Sequence, residues 1–356
     1  MKINKTIKVL IFFVFTLLLS CSGDDPANVI YNINEESSLV KNYEKVLRNQ
    51  EVVFSLIGEN NADYTEFATF YVDGVAIEGN VFSSSIEGVF SVYAGYDLAG
   101  TITTTNTTSV EVFIPKRKVL IEDYTANWCG PCVRIATGIR KVREQSEDVV
   151  IVSIHGNSIV TATDPLAIPD GMFLKNYFEV PYYPTGIINR DEFWEWELPD
   201  FEFIISHPIA FAGTEVNTSI SINSQFVATD LMVEIKVISE TNITSKKIVI
   251  FLLEDGILLD QANGYYNYQP DSEWYQMGDP IIDYEHNDVL RVSITDPLGD
   301  AIPDIAALEE RSINYTLTIP EDYNSSNLSI VAMVVNEDDT VINAQFAEIN
   351  EDKKYE

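Results

Sequence analysis

The sequence predicts an α/β domain, with a mixed sheet flanked by helices, set between an N-terminal and a C-terminal β domain. Three observations carry that prediction. Residues 118–124 read as a buried strand and residues 133–144 as a helix with Ile135, Ile139 and Val142 on one face, and Trp128-Cys129-Gly130-Pro131-Cys132 lies in the turn between them. Residues 51–115 are instead a run of short β patterns broken by turn dipeptides, Asp73-Gly74 and Glu87-Gly88 among them. From about Thr214 the β pattern returns, mostly alternating apolar and polar residues as in sheets with one wet face.

The N-terminus reads as an export signal. Lys2, Lys5 and Lys8 form a basic region, residues 9–19 are apolar apart from Thr16, and that apolar stretch is too short to span a bilayer. The ending Leu18-Leu19-Ser20-Cys21 resembles the lipobox of bacterial lipoproteins, which implies that Cys21 is lipidated and is the first mature residue. Losing residues 1–20 removes three of the 22 basic residues and none of the 55 acidic ones, so the mature chain is three units more negative than the −33 of the whole. Such a charge repels nucleic acid and anionic membrane surfaces and leaves the lipid on Cys21 as the expected membrane contact. Residues 21–38, opening with Ser22-Gly23-Asp24-Asp25-Pro26, read as a polar tether. That stretch also resembles the acidic segment after the lipidated cysteine in surface-exported lipoproteins of Gram-negative bacteria of the Bacteroidetes type, and both readings stay open.

Short strands at 52–56, 68–72, 89–94 and 110–113 make residues 39–115 an expected small immunoglobulin-like sandwich. The α/β domain is expected at 116–212. It continues from the motif helix into an apolar strand at 149–154, an irregular insertion with a helix between 163 and 178, and a strand at 186–189. Six further strands between 219 and 336 make residues 213–356 an expected second sandwich. The aromatic segment 265–275 is expected to be a long loop packing its rings on its own domain.

A C-x-x-C pair is used by zinc sites as well as by redox centres. The chain has three cysteines and three histidines, so no second cysteine pair exists and His155, His207 and His286 show no ligand spacing; no metal and no cofactor are expected. A four-residue disulfide loop gives little entropic stabilisation and suits a labile, exchanging bond better than a static one. A thiol at a helix N-terminus is stabilised as thiolate by the dipole and the free amides.

Residues 122–132, Glu-Asp-Tyr-Thr-Ala-Asn-Trp-Cys-Gly-Pro-Cys, resemble thioredoxin without a gap, and Phe178-Glu179-Val180-Pro181-Tyr182-Tyr183-Pro184-Thr185 is similar to the segment ending in that family's cis-proline. The wider layout resembles the twenty-eight-kilodalton outer membrane protein family, lipoproteins with a thioredoxin-like domain followed by a β domain. That likeness rests on the 122–132 stretch, Ser153-Ile154-His155-Gly156, Glu254-Asp255-Gly256-Ile257 with Gln261, and residues 286–291. The resemblance implies a redox disulfide Cys129–Cys132 in which Cys129 is the exposed nucleophile and Cys132 resolves the mixed disulfide. It implies that Asp123 is a buried acid relaying a proton with Cys132, that Gly130 allows close substrate approach and that Pro131 fixes the helix start. It further implies that Pro184 is the cis-proline, that Tyr183 and Pro184 carry the substrate backbone, and that Trp128 packs beside the site. Two departures stand out: no lysine on the 149–154 strand faces Asp123, where His155 is the nearest polar group, and no clear final strand follows Asn189.

The expected protein is a lipid-anchored outer membrane lipoprotein acting as a thiol–disulfide oxidoreductase on the thiols and disulfides of exported proteins, with an electron donor the sequence does not name. The rival is a surface binding or adhesion lipoprotein using the thioredoxin-like domain as a scaffold. If Cys21 carries the anchor, wild-type protein partitions with membranes and Cys21→Ser becomes soluble or stays unprocessed, as fractionation would read; membrane association that survives the change would require another anchor.

Overall fold

The computed structural model describes residues 33–356 apart from 159–161, 199–201, 266, 268 and 269; the export signal, Cys21 and most of the tether lie outside the described residues. Among the described residues no helix is long and apolar enough to cross a membrane.

The N-terminal part is a β sandwich. A three-stranded sheet (Ser37–Lys41, Val52–Gly58, Val81–Phe82) faces a six-stranded sheet built on Gly88–Leu98 and Thr108–Phe113. Alternate residues Val52, Phe54 and Leu56 enter the shared core with Phe70, Val92 and Val110, as period-two side chains must. Ile33 is 1 % exposed in that core and bridges to Leu98, and a strand begins at Ser37, so the last residues of the expected tether belong to the sandwich.

The central sheet has nine strands among the described residues. Its order is Glu192–Phe193, Thr185–Ile188, Val119–Thr125, Val149–His155, Val289–Ser293, Lys247–Glu254, Leu328–Val335 and Val341–Glu348, with Asp300–Ala301 on the flank of Lys247–Glu254. Val119–Thr125 pairs parallel with Val149–His155 and antiparallel with Thr185–Ile188, giving the mixed sheet expected. The helices Val133–Arg143 and Pro169–Tyr177 cover its opposite faces, through Ile135, Ile139 and Val142 in one core and Leu174 in another.

The boundary expected at 212/213 is crossed by this sheet. Val149–His155 pairs parallel with Val289–Ser293 through Ser153 and Val289, and the Ser153 amide donates to Asp288 O at 2.8 Å. The reason is that a buried strand edge cannot be left without partners. The C-terminal part is therefore not a separate sandwich. A four-stranded sheet (Thr218–Val227, Asp230–Ser239, Glu310–Thr318, Asp352–Lys353) packs Ile222, Leu231, Ile235 and Val237 on Ile248, Ile250, Leu252 and Ile330 of the central sheet. The final strand not found after Asn189 is the two-residue Glu192–Phe193 pairing with Thr185–Ile188.

One buried ion pair fixes the hub of the sheet. Glu122 and Arg190 have fully buried side chains, and Arg190 Nε donates to Glu122 Oε1 at 2.9 Å while Tyr124 Oη donates to Glu122 Oε2 at 3.1 Å. Arg190 Nη1 also donates to Pro297 O, and its guanidinium lies over Phe178 and Phe251, so it joins strands from both sides of the crossed boundary. Removing one member strands a buried charge: Arg190→Met should lower stability by about 3–5 kcal/mol, read by denaturant midpoint, whereas pairing it with Glu122→Leu should restore much of that loss.

Candidate redox site

The motif occupies the place where strand becomes helix. Val119–Thr125 ends, Cys129 takes an extended conformation, Gly130–Cys132 forms a 3-10 turn with Pro131 in its first positions, and Val133–Arg143 continues as α-helix. Cys129 and Cys132 are joined by a disulfide, with Cα atoms 5.4 Å apart. The Tyr183–Pro184 bond is cis, and Tyr183 packs against the cysteines together with Trp128, whose ring meets it edge-on at 5.6 Å. Trp128 Nε1 donates to Gly156 O at 3.0 Å. The Tyr183 ring fills the space beside Gly156: an added Cβ would lie 1.8 Å from Tyr183 Oη and would have to displace it.

Cys129 is not exposed. It is 4 % accessible and Cys132 3 %, because residues 261–264 lie across the motif. Gln261 Nε2 donates to Cys129 O at 3.0 Å and to Ala126 O at 3.4 Å, the Ala262 amide to Asn127 O at 2.7 Å, and the Gly264 amide to Gly130 O at 2.9 Å. The close approach for which Gly130 was expected is made by this chain itself: a Cβ on Gly130 would lie 2.9 Å from Gly264 N.

Asp123 is 5 % exposed, and its Oδ1 has no hydrogen-bond partner. Burial pushes its carboxyl well above the usual range, and the charge of Asp288 adds to the effect. Asp288 is raised by burial too, against the pull of Arg143, whose Nη1 and Nη2 donate to its two oxygens at 2.9 and 2.6 Å. His155 does not replace a lysine facing Asp123; its Nδ1 is hydrogen-bonded to Asp164 Oδ2 at 2.7 Å. Asp164 also accepts from the amides of Asn127 and Leu166, and although burial works against the charge, these bonds hold its carboxyl low. His286 stacks edge-on to His155 at 5.1 Å, and burial first, then the charge of His155, lowers its pKa to about 4. A cavity of about 540 Å³ is lined by Asp123, Cys132, Ala136, Arg143, His286 and Asp288 among others. Among the described residues no cluster of metal-ligating side chains occurs.

The site thus draws on residues that the motif alone did not point to: Arg143, Asp164, Gln261, Gly264, His286 and Asp288. Two of the stretches quoted for the family likeness, Gln261 and 286–291, turn out to adjoin the motif. The aromatic segment also packs away from its expected place. Trp274 Nε1 donates to Thr137 Oγ1 at 2.8 Å, and Arg134 lies over the Tyr265 ring at 5.6 Å, so Tyr265 and Trp274 lie on the motif helix.

This geometry belongs to a thioredoxin-like domain, and the thioredoxin family pattern matches residues 101–189. The pattern of the outer membrane protein Omp28 family matches residues 172–353, just over half of the chain, and the chain belongs to that family. Among solved structures, HBP35 of Porphyromonas gingivalis is 20 % identical with a TM-score of 0.47, covering 67 % of this chain and 77 % of its own. A β-glucosidase from Kluyveromyces marxianus in complex with glucose is 9 % identical with a TM-score of 0.19, covering 86 % of this chain and 45 % of its own. At these TM-scores neither neighbour constrains activity. No curated protein matches the chain.

The raised carboxyl has a checkable consequence. A carboxyl whose folded pKa lies above its unfolded value costs nothing below the unfolded pKa and destabilises increasingly as pH rises through the folded one. Asp123→Asn should therefore be more stable than wild type at pH 7, with the gain vanishing toward pH 3.5, as denaturant unfolding at the two pH values would read.

Proposed function

We propose that the protein is a lipid-anchored thiol–disulfide oxidoreductase of the Gram-negative cell envelope, acting on the thiols and disulfides of exported proteins. The observation that carries this reading is the Cys129–Cys132 disulfide at a helix start, with the proton-holding carboxyl of Asp123 and the wall of Cys132 in one cavity. Membership of an outer membrane protein family supports the envelope location, and Cys21 supplies the anchor.

In the reducing direction an external donor first converts the disulfide to two thiols. The Cys129 thiolate, favoured by the helix start, attacks one sulfur of the substrate disulfide and releases the other as a thiolate that takes up a proton. Cys132 then gives its proton to Asp123 in that carboxyl's ionised fraction, a stronger base than an ordinary carboxylate because its proton affinity is raised, and attacks Cys129 Sγ. The disulfide re-forms, and the second substrate sulfur leaves as a thiolate that takes the proton back from Asp123. The cis-proline ledge at Tyr183 and Pro184 carries the substrate backbone beside Trp128. The Gly-Pro pair between the cysteines fits a reducing centre. The N-terminal sandwich, read as immunoglobulin-like, and the C-terminal β layers position or recognise the substrate.

A second reading, a binding or adhesion lipoprotein whose thioredoxin-like domain is a scaffold, is favoured by one observation, the burial of both cysteines. Insulin reduction driven by excess dithiothreitol separates the two. The oxidoreductase reading expects wild-type turnover above that of Cys129→Ser, with Asp123→Asn shifting the pH–rate profile and losing rate chiefly near neutral pH. Turnover no better than Cys129→Ser would leave the scaffold reading standing.

A further inference from the structure

The cover over Cys129 is built, not incidental. The strap 261–264 is hydrogen-bonded to the motif backbone at Ala126, Asn127, Cys129 and Gly130, through Gln261 Nε2 and the amides of Ala262 and Gly264. It is held from behind as well. Gln261 and Ile281 exchange backbone hydrogen bonds, the Asn263 amide donates to Asp279 Oδ1, and Asn263 Nδ2 donates to Trp274 O and Gly278 O. Gln261 and Asn263 are 3 % and 1 % exposed, so these polar groups are spent on holding one loop in one place. The contact between Gly130 and Gly264 is tight, with a Cβ on Gly130 lying 2.9 Å from Gly264 N and one on Gly264 3.1 Å from Gly130 C, and it leaves no room for a second polypeptide against Gly130.

The disulfide is not sealed in every direction. A cavity of about 540 Å³, walled by Cys132 of the motif and edged by Gln261 of the strap itself, has space enough for a small thiol and far too little for a folded protein. We propose that the strap 261–264 is a specificity element, which restricts the closed site to low-molecular-weight thiols and disulfides and admits polypeptide disulfides only when it lifts from Gly130.

The inference rests on the oxidoreductase reading and names which partners reach that centre. In the closed state a small thiolate entering the cavity attacks the Cys129–Cys132 disulfide, forming a mixed disulfide with one cysteine and expelling the other as thiolate. A second small thiol attacks the small molecule's sulfur in that mixed disulfide. The products are the small molecule's own disulfide and the dithiol protein, whose sulfurs take the protons the two thiols gave up. Reduction of a polypeptide requires the strap's hydrogen bonds to the motif to break first, so its rate carries the closed-to-open equilibrium as a factor.

Gly264→Val, which drives a side chain into the Gly130–Pro131 backbone, and Gln261→Ala, which removes the bonds to Ala126 O and Cys129 O, both favour the open state. Each is assayed in the full mature protein, with disulfide formation and melting temperature as checks on folding. Relative to wild type, at least one folded variant should reduce insulin about tenfold faster, and Gly264→Val should leave reduction of its own disulfide by 2-mercaptoethanol within about threefold, a reading not asked of Gln261→Ala because that side chain walls the cavity. The absence of any folded variant that reduces insulin faster than an active wild type overturns the proposal, as does an equal gain of Gly264→Val toward insulin and 2-mercaptoethanol. Wild type and both variants failing alike to exceed Cys129→Ser on insulin, with the disulfide still exchanging with 2-mercaptoethanol, would instead sink the protein-oxidoreductase reading on which it rests.

Discussion

The edge of the Val149–His155 strand is the constraint on which the rest depends. A strand buried on both faces presents a row of amides and carbonyls that water cannot reach, and these need a protein partner. Val289–Ser293 meets this edge at Ser153, which pairs with Val289 and donates its amide to Asp288 O, and the sheet of the α/β domain becomes the sheet of the C-terminal part. Asp288, one residue before the new strand, then meets Arg143 of the motif helix, and His286 meets His155. The segment leading up to that strand has to cross the motif, and residues 261–264 do so.

The electrostatics of the site follow from the same junction. Two buried carboxyls, Asp123 and Asp288, lie on one cavity, and Arg143 spends both its terminal nitrogens on Asp288. Burial, with the charge of Asp288 added, favours the neutral form of Asp123. The other buried acid, Asp164, takes the opposite course, because His155 and two amides satisfy it. Two aspartates near one disulfide are thus pushed apart in proton affinity by their surroundings, the arrangement from which acid–base roles are made.

The cysteine pair is enclosed by two parts of one chain. Gln261 and Gly264 occupy the ground beside Cys129 and Gly130, so the burial of the pair depends on how firmly the C-terminal loop is held. That firmness is set by Asn263 and Ile281, neither of which touches a cysteine.

The sequence alone determined what is local. Residues 118–144 announce strand, turn and helix because apolar periodicity and Pro131 act within a few residues, and the structure places Val119–Thr125 and Val133–Arg143 there. Cys129, Cys132, Asp123, Trp128, Tyr183 and Pro184 were legible for the same reason, as each lies in a contiguous stretch with its own chemistry. Only the tertiary structure decided what covers them. Gln261 is 132 residues from Cys129 and Arg143 is 145 from Asp288, and alternation along a strand says which face is buried but never which strand lies alongside. The same limit produced the boundary expected at 212/213: the β pattern from Thr214 onward reads identically whether its strands close on themselves or extend a neighbouring sheet. Pairing of edges is a property of the folded chain, because the hydrogen bonds that choose a partner are made by backbone groups common to every residue but proline.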